Sequence, residues 1–128
     1  MIQNIEKQIT INGLKARANN KTPDLFKIAW ENFFIDNSPI TEAVYAVYTN
    51  YESDYKGAFD FIVGSAGANG EEFVIPAGNY YIWDTKSENN ECIAGEWQKI
   101  WTSDIKRKYT VDFEVYIPGE TIKIYLAV

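Results

Sequence analysis

The chain contains no histidine. That removes Ser-His-Asp and Cys-His nucleophilic catalysis, and histidine metal sites, in one step. Cys92 is the lone cysteine, so no internal disulfide or thiolate cluster can form. It stands beside Ile93 in a helix-like segment and reads as a small packing residue, with no cation evidently placed to activate it. No metal and no cofactor is expected. Positive charge is also scarce: 12 Lys and Arg face 18 Asp and Glu, a net charge of −6. Phosphate binding needs a basic field, so direct nucleic-acid contact is not expected. The cluster Lys106-Arg-Lys108 reads as a solvated helix end, where cations offset the negative end of the dipole. No apolar run approaches the roughly 20 residues of a membrane span. The first residues, Met1 to Lys7, are mixed polar and lack the apolar core of a secretory signal. The expectation is a cytoplasmic protein without membrane contact.

What the chain has in quantity is aromatic side chains, at 16% of residues within a 46% hydrophobic total. Rings fill cores, but they also line ligand cavities. A length of 128 residues suits one domain, 1–128.

Residues from about Glu6 to Arg17 alternate as a strand, through Ile9 and Ile11. Thr22 and Pro23 open a helix that runs to about Ile35, and Asp36-Asn-Ser-Pro39 stops it. Its apolar rows are Leu25, Ala29 and Phe33, and Phe26, Trp30 and Phe34. Strands follow over Ala43 to Thr49 and Tyr55 to Val63, joined by a turn at Asn50 to Asp54. Gly64 to Gly70 is a flexible connector. Phe73 to Ile75 is extended, Pro76-Ala-Gly78 turns the chain, and Asn79 to Thr85 is a strand. A second helix is predicted from about Glu91 to Ile105, with Ile93, Trp97, Ile100, Trp101 and Ile105 on one side. Val111 to Ile117 and Thr121 to Val128 close the chain as a hairpin around Pro118-Gly119-Glu120.

The two halves match. Ala29-Trp-Glu-Asn-Phe-Phe34 parallels Glu96-Trp-Gln-Lys-Ile-Trp101, with Trp97 lying 67 positions after Trp30 (97 − 30). Val47-Tyr48 parallels Val115-Tyr116, at a separation of 68 (116 − 48). The expected fold is α+β: duplicated strand-helix-strand-strand units, about 5–64 and 72–128, related by a pseudo-twofold axis. They would share an antiparallel sheet with two main helices. The groove between the tryptophan-bearing helices is the natural place for a ligand.

In Val111 to Ile117, side chains alternate between Val111, Phe113, Val115 and Ile117 on one face and Asp112, Glu114 and Tyr116 on the other. Glu114 is a mid-strand acid in apolar sequence, where acids are disfavoured. Alternation alone favours a half-solvated sheet with Glu114 in water, or an edge acid that blocks aggregation. The other reading turns Glu114 into the aromatic groove, where a bound cation would balance its charge. The candidate rings are Trp30, Tyr48, Tyr80, Trp83, Trp97, Trp101 and Tyr116; each could equally be plain core.

Four segments in order carry a resemblance: Ala29-Trp-Glu-Asn-Phe-Phe34, Ile75-Pro-Ala-Gly-Asn-Tyr80, Trp97-Gln-Lys-Ile-Trp101 and Asp112-Phe-Glu-Val-Tyr116. The chain resembles the gyrase-inhibitor-like, or AraC-type, effector-binding domain family over nearly its whole length. It is similar to the stand-alone members, including mobile-cassette-encoded proteins that bind cationic drugs. The resemblance implies a small-molecule cleft between the halves. In relatives that sense multidrug compounds, an acid at the position of Glu114 faces the ligand's positive charge. Many relatives carry a DNA-binding helix-turn-helix region, for which this chain has no room, so a role in transcription would need a separate partner. The expected function is therefore binding of an amphipathic, cationic small molecule, for sensing or sequestration. Two alternatives stand beside it. One is a small hydrolase using Glu114 as general acid or base. The other is an acidic protein-interaction module of gyrase-inhibitor type, using Glu52, Asp54, Glu71, Glu72, Glu88 and Glu91.

Overall fold

A computed structural model describes residues 1–37 and 41–128. The elements in chain order are β1 (Ile2–Ile5), β2 (Ile9–Ala18), α1 (Pro23–Asn37), β3 (Val44–Thr49), β4 (Phe59–Ser65), β5 (Glu71–Ile75), β6 (Gly78–Asp84), α2 (Ile93–Trp101), β7 (Val111–Tyr116) and β8 (Lys123–Ala127). A short 3-10 turn, Asn90–Cys92, leads into α2. The eight strands form one antiparallel sheet in the order β1-β6-β8-β7-β3-β4-β2-β5.

That order is symmetric about its centre. Outward from β3 lie β4, β2 and β5; outward from β7 lie β8, β6 and β1. Within the central pair, Val44 is opposite Tyr116 and Tyr48 is opposite Asp112. Moving the first pair by 68 positions (44 + 68 = 112, 116 − 68 = 48) generates the second pair. The same shift carries Ala46 onto Glu114 (46 + 68 = 114), and these two residues face each other. Glu114 therefore sits on the pseudo-twofold axis, and Tyr48 and Tyr116 approach it from equivalent places. The outermost strands are exchanged: β1 extends the edge of β6, and β5 extends the edge of β2.

Both faces of the sheet are buried along its middle. One face joins Ile11, Val47, Ile62, Ile75, Tyr80 and Phe113 into a core without a helix. The other carries both helices. α1 lies on Ala46, Phe59, Phe61 and Val63 through Ala29 and Phe33, and α2 lies on Ile124 and Leu126 through Trp97 and Ile100. The two-residue period of a strand puts Asp112, Glu114 and Tyr116 on this helix-bearing face. Close strand packing has a local requirement at Gly13, where an added Cβ would come within 1.8 Å of the Val63 carbonyl oxygen.

Several elements differ from their sequence-based bounds. β1 pairs only with β6 and buries little apolar surface, so periodicity gave no sign of it. The turn between β3 and β4 runs to Ala58, whose carbonyl accepts from the Glu52 amide at 2.8 Å; Tyr55 is thus a loop residue, not part of β4. α2 ends at Trp101, and the chain to Thr110 is not helical. The stop expected at Asp36-Asn-Ser-Pro39 falls partly outside the described residues; α1 runs to Asn37. No helix among the described residues is long and apolar enough to cross a membrane.

Candidate functional site

The gap between α1 and α2, above β3, β4 and β7, is a cavity of about 380 Å³. That lies within the range of small-molecule sites. α1 contributes Phe26 and Trp30, one turn apart on the face beside the Ala29 and Phe33 row. α2 contributes Ile93, Trp97 and Trp101, spaced four apart as one helical face requires. The floor is Tyr48 of β3, Phe59 and Phe61 of β4, and Glu114 and Tyr116 of β7. Tyr51 and Tyr55 of the β3–β4 loop line another wall, with Arg107 from the segment after α2.

The rings pack on one another in edge-on, tilted and stacked pairs. Tyr48 meets Trp97 at 5.1 Å and Phe61 at 5.1 Å between centroids. Trp30 meets Tyr116 edge-on at 5.1 Å. Tyr55 stacks on Trp101 at 5.2 Å with planes 7° apart. Each such pair adds about 0.5–1.5 kcal/mol beyond its buried area.

Glu114 is 1% exposed. Three neutral donors hold it: the Tyr48 hydroxyl and the Trp97 indole N–H donate to Oε2 at 2.6 and 2.7 Å, and the Tyr116 hydroxyl donates to Oε1 at 2.5 Å. The indole can only donate, so this arrangement fits a carboxylate that only accepts. Burial nonetheless raises the Glu114 pKa above the usual glutamate value; the bonds from Tyr116, Tyr48 and Trp97 pull in the opposite direction and do not fully offset it. Tyr48 and Tyr116 are pushed up as well, by burial first and then by the neighbouring acid, which keeps both as hydroxyl donors. No cationic side chain pairs with Glu114 among the described residues.

Two residues away, Asp112 is buried with the opposite outcome. Its Oδ2 accepts from Arg107 Nη2 at 2.7 Å and from the Tyr51 hydroxyl at 2.5 Å, and its Oδ1 accepts from the Ala127 amide at 2.9 Å. The side chain of Arg107 is only 3% exposed. Its guanidinium lies 4.3 Å from the Tyr109 ring centre and 5.5 Å from that of Trp97. Burial pushes the Arg107 pKa down, but Asp112, Tyr51 and Tyr109 together outweigh it and leave the pKa raised. The reading of Lys106-Arg-Lys108 as a solvated helix end is therefore corrected for its middle residue. α2 stops before the cluster, and Arg107 turns inward to a buried acid. Tyr109 adopts a φ of 55°, rare for a bulky residue, in the turn that brings its ring onto Arg107.

Of the eight residues proposed from sequence, Glu114, Trp30, Tyr48, Trp97, Trp101 and Tyr116 line this cavity. Tyr80 and Trp83 do not. Tyr80 is on the helix-free face, packed on Phe113 and bonded to the Pro76 carbonyl at 2.7 Å. Trp83 shares the helix-bearing face but lies under α2, where its indole donates to Glu96 at 2.7 Å. Strand alternation turns Tyr80 to the other face, and Trp83, on the same face as the site, stands on β6, two strands away from β7. Tyr51, Tyr55 and Arg107 were missed, as were Phe26, Phe59, Phe61 and Ile93, whose sequence patterns mark them only as parts of their helices and strands. Two tyrosines within a polar turn were the available sign for the first two; nothing in the sequence distinguishes Arg107 from its lysine neighbours.

An eight-stranded antiparallel sheet with two helices on one face, and a ring-lined cavity over a buried acid between them, defines an effector-binding-type domain. The chain belongs to the integron-associated effector binding protein family, Cass2, which it matches over residues 5–128. It is similar to the integron cassette protein VCH_CASS2 from the mobile metagenome of Vibrio cholerae. That match has a TM-score of 0.86 and 28% identity, covering 100% of this chain and 94% of the other. The fold is shared with SAV2435, solved bound to tetraphenylphosphonium, at a TM-score of 0.66 and 11% identity over 98% of this chain and 91% of that one. YobU of Bacillus subtilis strain 168, whose name places it provisionally among transcriptional regulators, is 26% identical over 94% of this chain and 88% of its own length.

Proposed function

We propose that the cavity binds amphipathic organic cations, and that the protein acts by sensing or sequestering them. Glu114 supplies the counter-charge, and Trp30, Tyr48, Trp97, Trp101 and Tyr116 supply the ring faces. The observation that carries this reading is a fully buried carboxylate whose three bonding partners are all neutral. Asp112, on the same strand, has its arginine; Glu114 has no cationic partner among the described residues. Donors orient a carboxylate but do not cancel its charge, and in a low-dielectric cavity the remaining demand is for a cation. A lipophilic cation meets it while losing little hydration of its own. Ring faces add about 0.5–2 kcal/mol each through cation–π attraction. The net charge of −6 steers cations toward the protein before they reach the cavity. The complex of SAV2435 with tetraphenylphosphonium, a compound of this class, supports the same reading for a shared fold.

The pH dependence tests it. Tetraphenylphosphonium carries a permanent charge, so only the protein titrates. Its affinity, followed by quenching of intrinsic tryptophan fluorescence, is expected to be flat at high pH and to fall on acidification as Glu114 takes up a proton. Because burial raises the pKa, the fall sets in above the usual glutamate value. It approaches about tenfold per pH unit in the limit of one linked proton. An affinity that does not change with pH, or that improves in acid, contradicts the assignment of Glu114 as counter-charge.

A further inference from the structure

We propose that the cavity also selects for a neutral carbonyl oxygen on its cationic ligand, received by the free edge of Arg107. The inference rests on the cation-binding reading and narrows its ligand class. Arg107 forms part of the cavity wall. One of its nitrogens, Nη2, is committed to Asp112. Nε and Nη1 are buried and have no acceptor among the described residues. A buried guanidinium N–H without a partner is costly, more so than a neutral donor. The walls nearest to it are the rings of Tyr109 and Trp97, which offer faces but no lone pairs suited to a fork of donors. Arg107 borders the cavity, but Nε and Nη1 are closed to a water-sized contact, so an acceptor from the cavity reaches them only as the ligand shifts the groups that cover them.

The charge arithmetic identifies the kind of acceptor. Asp112 already neutralises Arg107, so a ligand carboxylate would bring an uncompensated negative charge into a cavity that holds Glu114. An ester, amide or ketone oxygen satisfies the N–H groups without that cost. Trp97 fixes the relation between the two recognition points. Its indole N–H is bonded to Glu114, while the Arg107 guanidinium lies over its ring. A ligand lying along Trp97 would therefore place its cation toward Glu114 and its carbonyl toward Arg107.

A matched pair of probes separates the two requirements. Ethoxycarbonylpropyl-triphenylphosphonium and heptyl-triphenylphosphonium have the same charge and chain length and differ in the ester. The preference for the ester over the heptyl probe is expected to drop about tenfold in Arg107→Lys, the worth of a hydrogen bond to a charged donor. General damage to the cavity would weaken both probes alike and leave that ratio unchanged. In the parent protein, the Arg107 Nε–H nuclear magnetic resonance signal is expected to shift with the ester probe and to stay in place with the heptyl probe. This second measurement decides the matter if the variant does not fold. Binding of both probes with an unmoved Nε–H signal, or an unchanged ratio in a folded variant, overturns the carbonyl inference and leaves the cation reading standing. Failure of both probes to bind the parent protein overturns the two together.

Discussion

Replacing Glu114 by glutamine is expected to weaken tetraphenylphosphonium binding about a hundredfold, some 3 kcal/mol, while making the unliganded protein more stable. The two effects have one cause. Glutamine has the size and shape of glutamate, and its carbonyl can still accept from Trp97 and Tyr48. What it lacks is the charge. Removing one partner of a desolvated charge pair costs 2–5 kcal/mol, and that sets the size of the affinity loss. In the absence of ligand the same charge is a burden. The folded-state pKa of Glu114 is raised above its unfolded value. Its contribution to stability is thus fully present below the unfolded pKa and is lost as pH rises through the folded one. At neutral pH, Glu114→Gln avoids that loss. A melting temperature higher by about 4 °C, roughly 1 kcal/mol, is expected in a thermal scan without ligand. A variant that binds weakly because it is poorly folded would show a lower melting temperature, so the sign of the shift separates the two causes.

Asp112→Asn is expected to destabilise the protein by about 3 kcal/mol or more, and to lower the melting temperature by over about 10 °C. Asp112 and Glu114 share a strand and a face, and both are buried, yet their tasks differ. The single asparagine oxygen can still accept from the Ala127 amide, and its NH2 then meets the Tyr51 hydroxyl, which can turn to accept. It cannot neutralise Arg107, whose side chain would remain a cation at 3% exposure. An uncompensated buried charge is among the most costly single changes in a folded protein. The control is Asp112→Asn combined with Arg107→Met, which removes the stranded cation and should recover part of the loss. Chemical denaturation of the three proteins measures this directly. A loss below about 1 kcal/mol in Asp112→Asn would mean that the pair does not anchor the segment between α2 and β7.

These two acids also mark how far the sequence could be read. The strand-helix-strand-strand order was visible because amphipathic stripes such as Trp97, Ile100 and Trp101 are local. The symmetry was visible because Val47-Tyr48 and Val115-Tyr116 repeat its central strands. Alternation placed Asp112, Glu114 and Tyr116 on one face, but it could not say whether that face was wet. Both faces of β7 are buried, one in the helix-free core and the other where Trp97, Tyr48 and Tyr116 close on Glu114, and such coverage is a tertiary fact. For the same reason, the strand rings of Tyr80 and Trp83 could not be told from those of Tyr48 and Tyr116. Strand neighbours are set by pairing, and β6 is separated from β7 by β8. Arg107 was hidden for a different reason. A basic triplet after a helix reads as solvent-facing, and only the turn at Tyr109 directs its middle member toward Asp112. The edge strand β1 escaped notice because an edge needs little apolar patterning to pair.

The measurement that goes straight to the central proposal compares two ions of nearly one shape. Tetraphenylphosphonium and tetraphenylborate present the same four phenyl groups with opposite charge. Titrated separately against the parent protein at neutral pH, the phosphonium should quench tryptophan fluorescence with saturation, and the borate should not bind measurably. Equal affinity for both would mean that the rings alone select the ligand and that the enclosed acid does not act as an electrostatic partner.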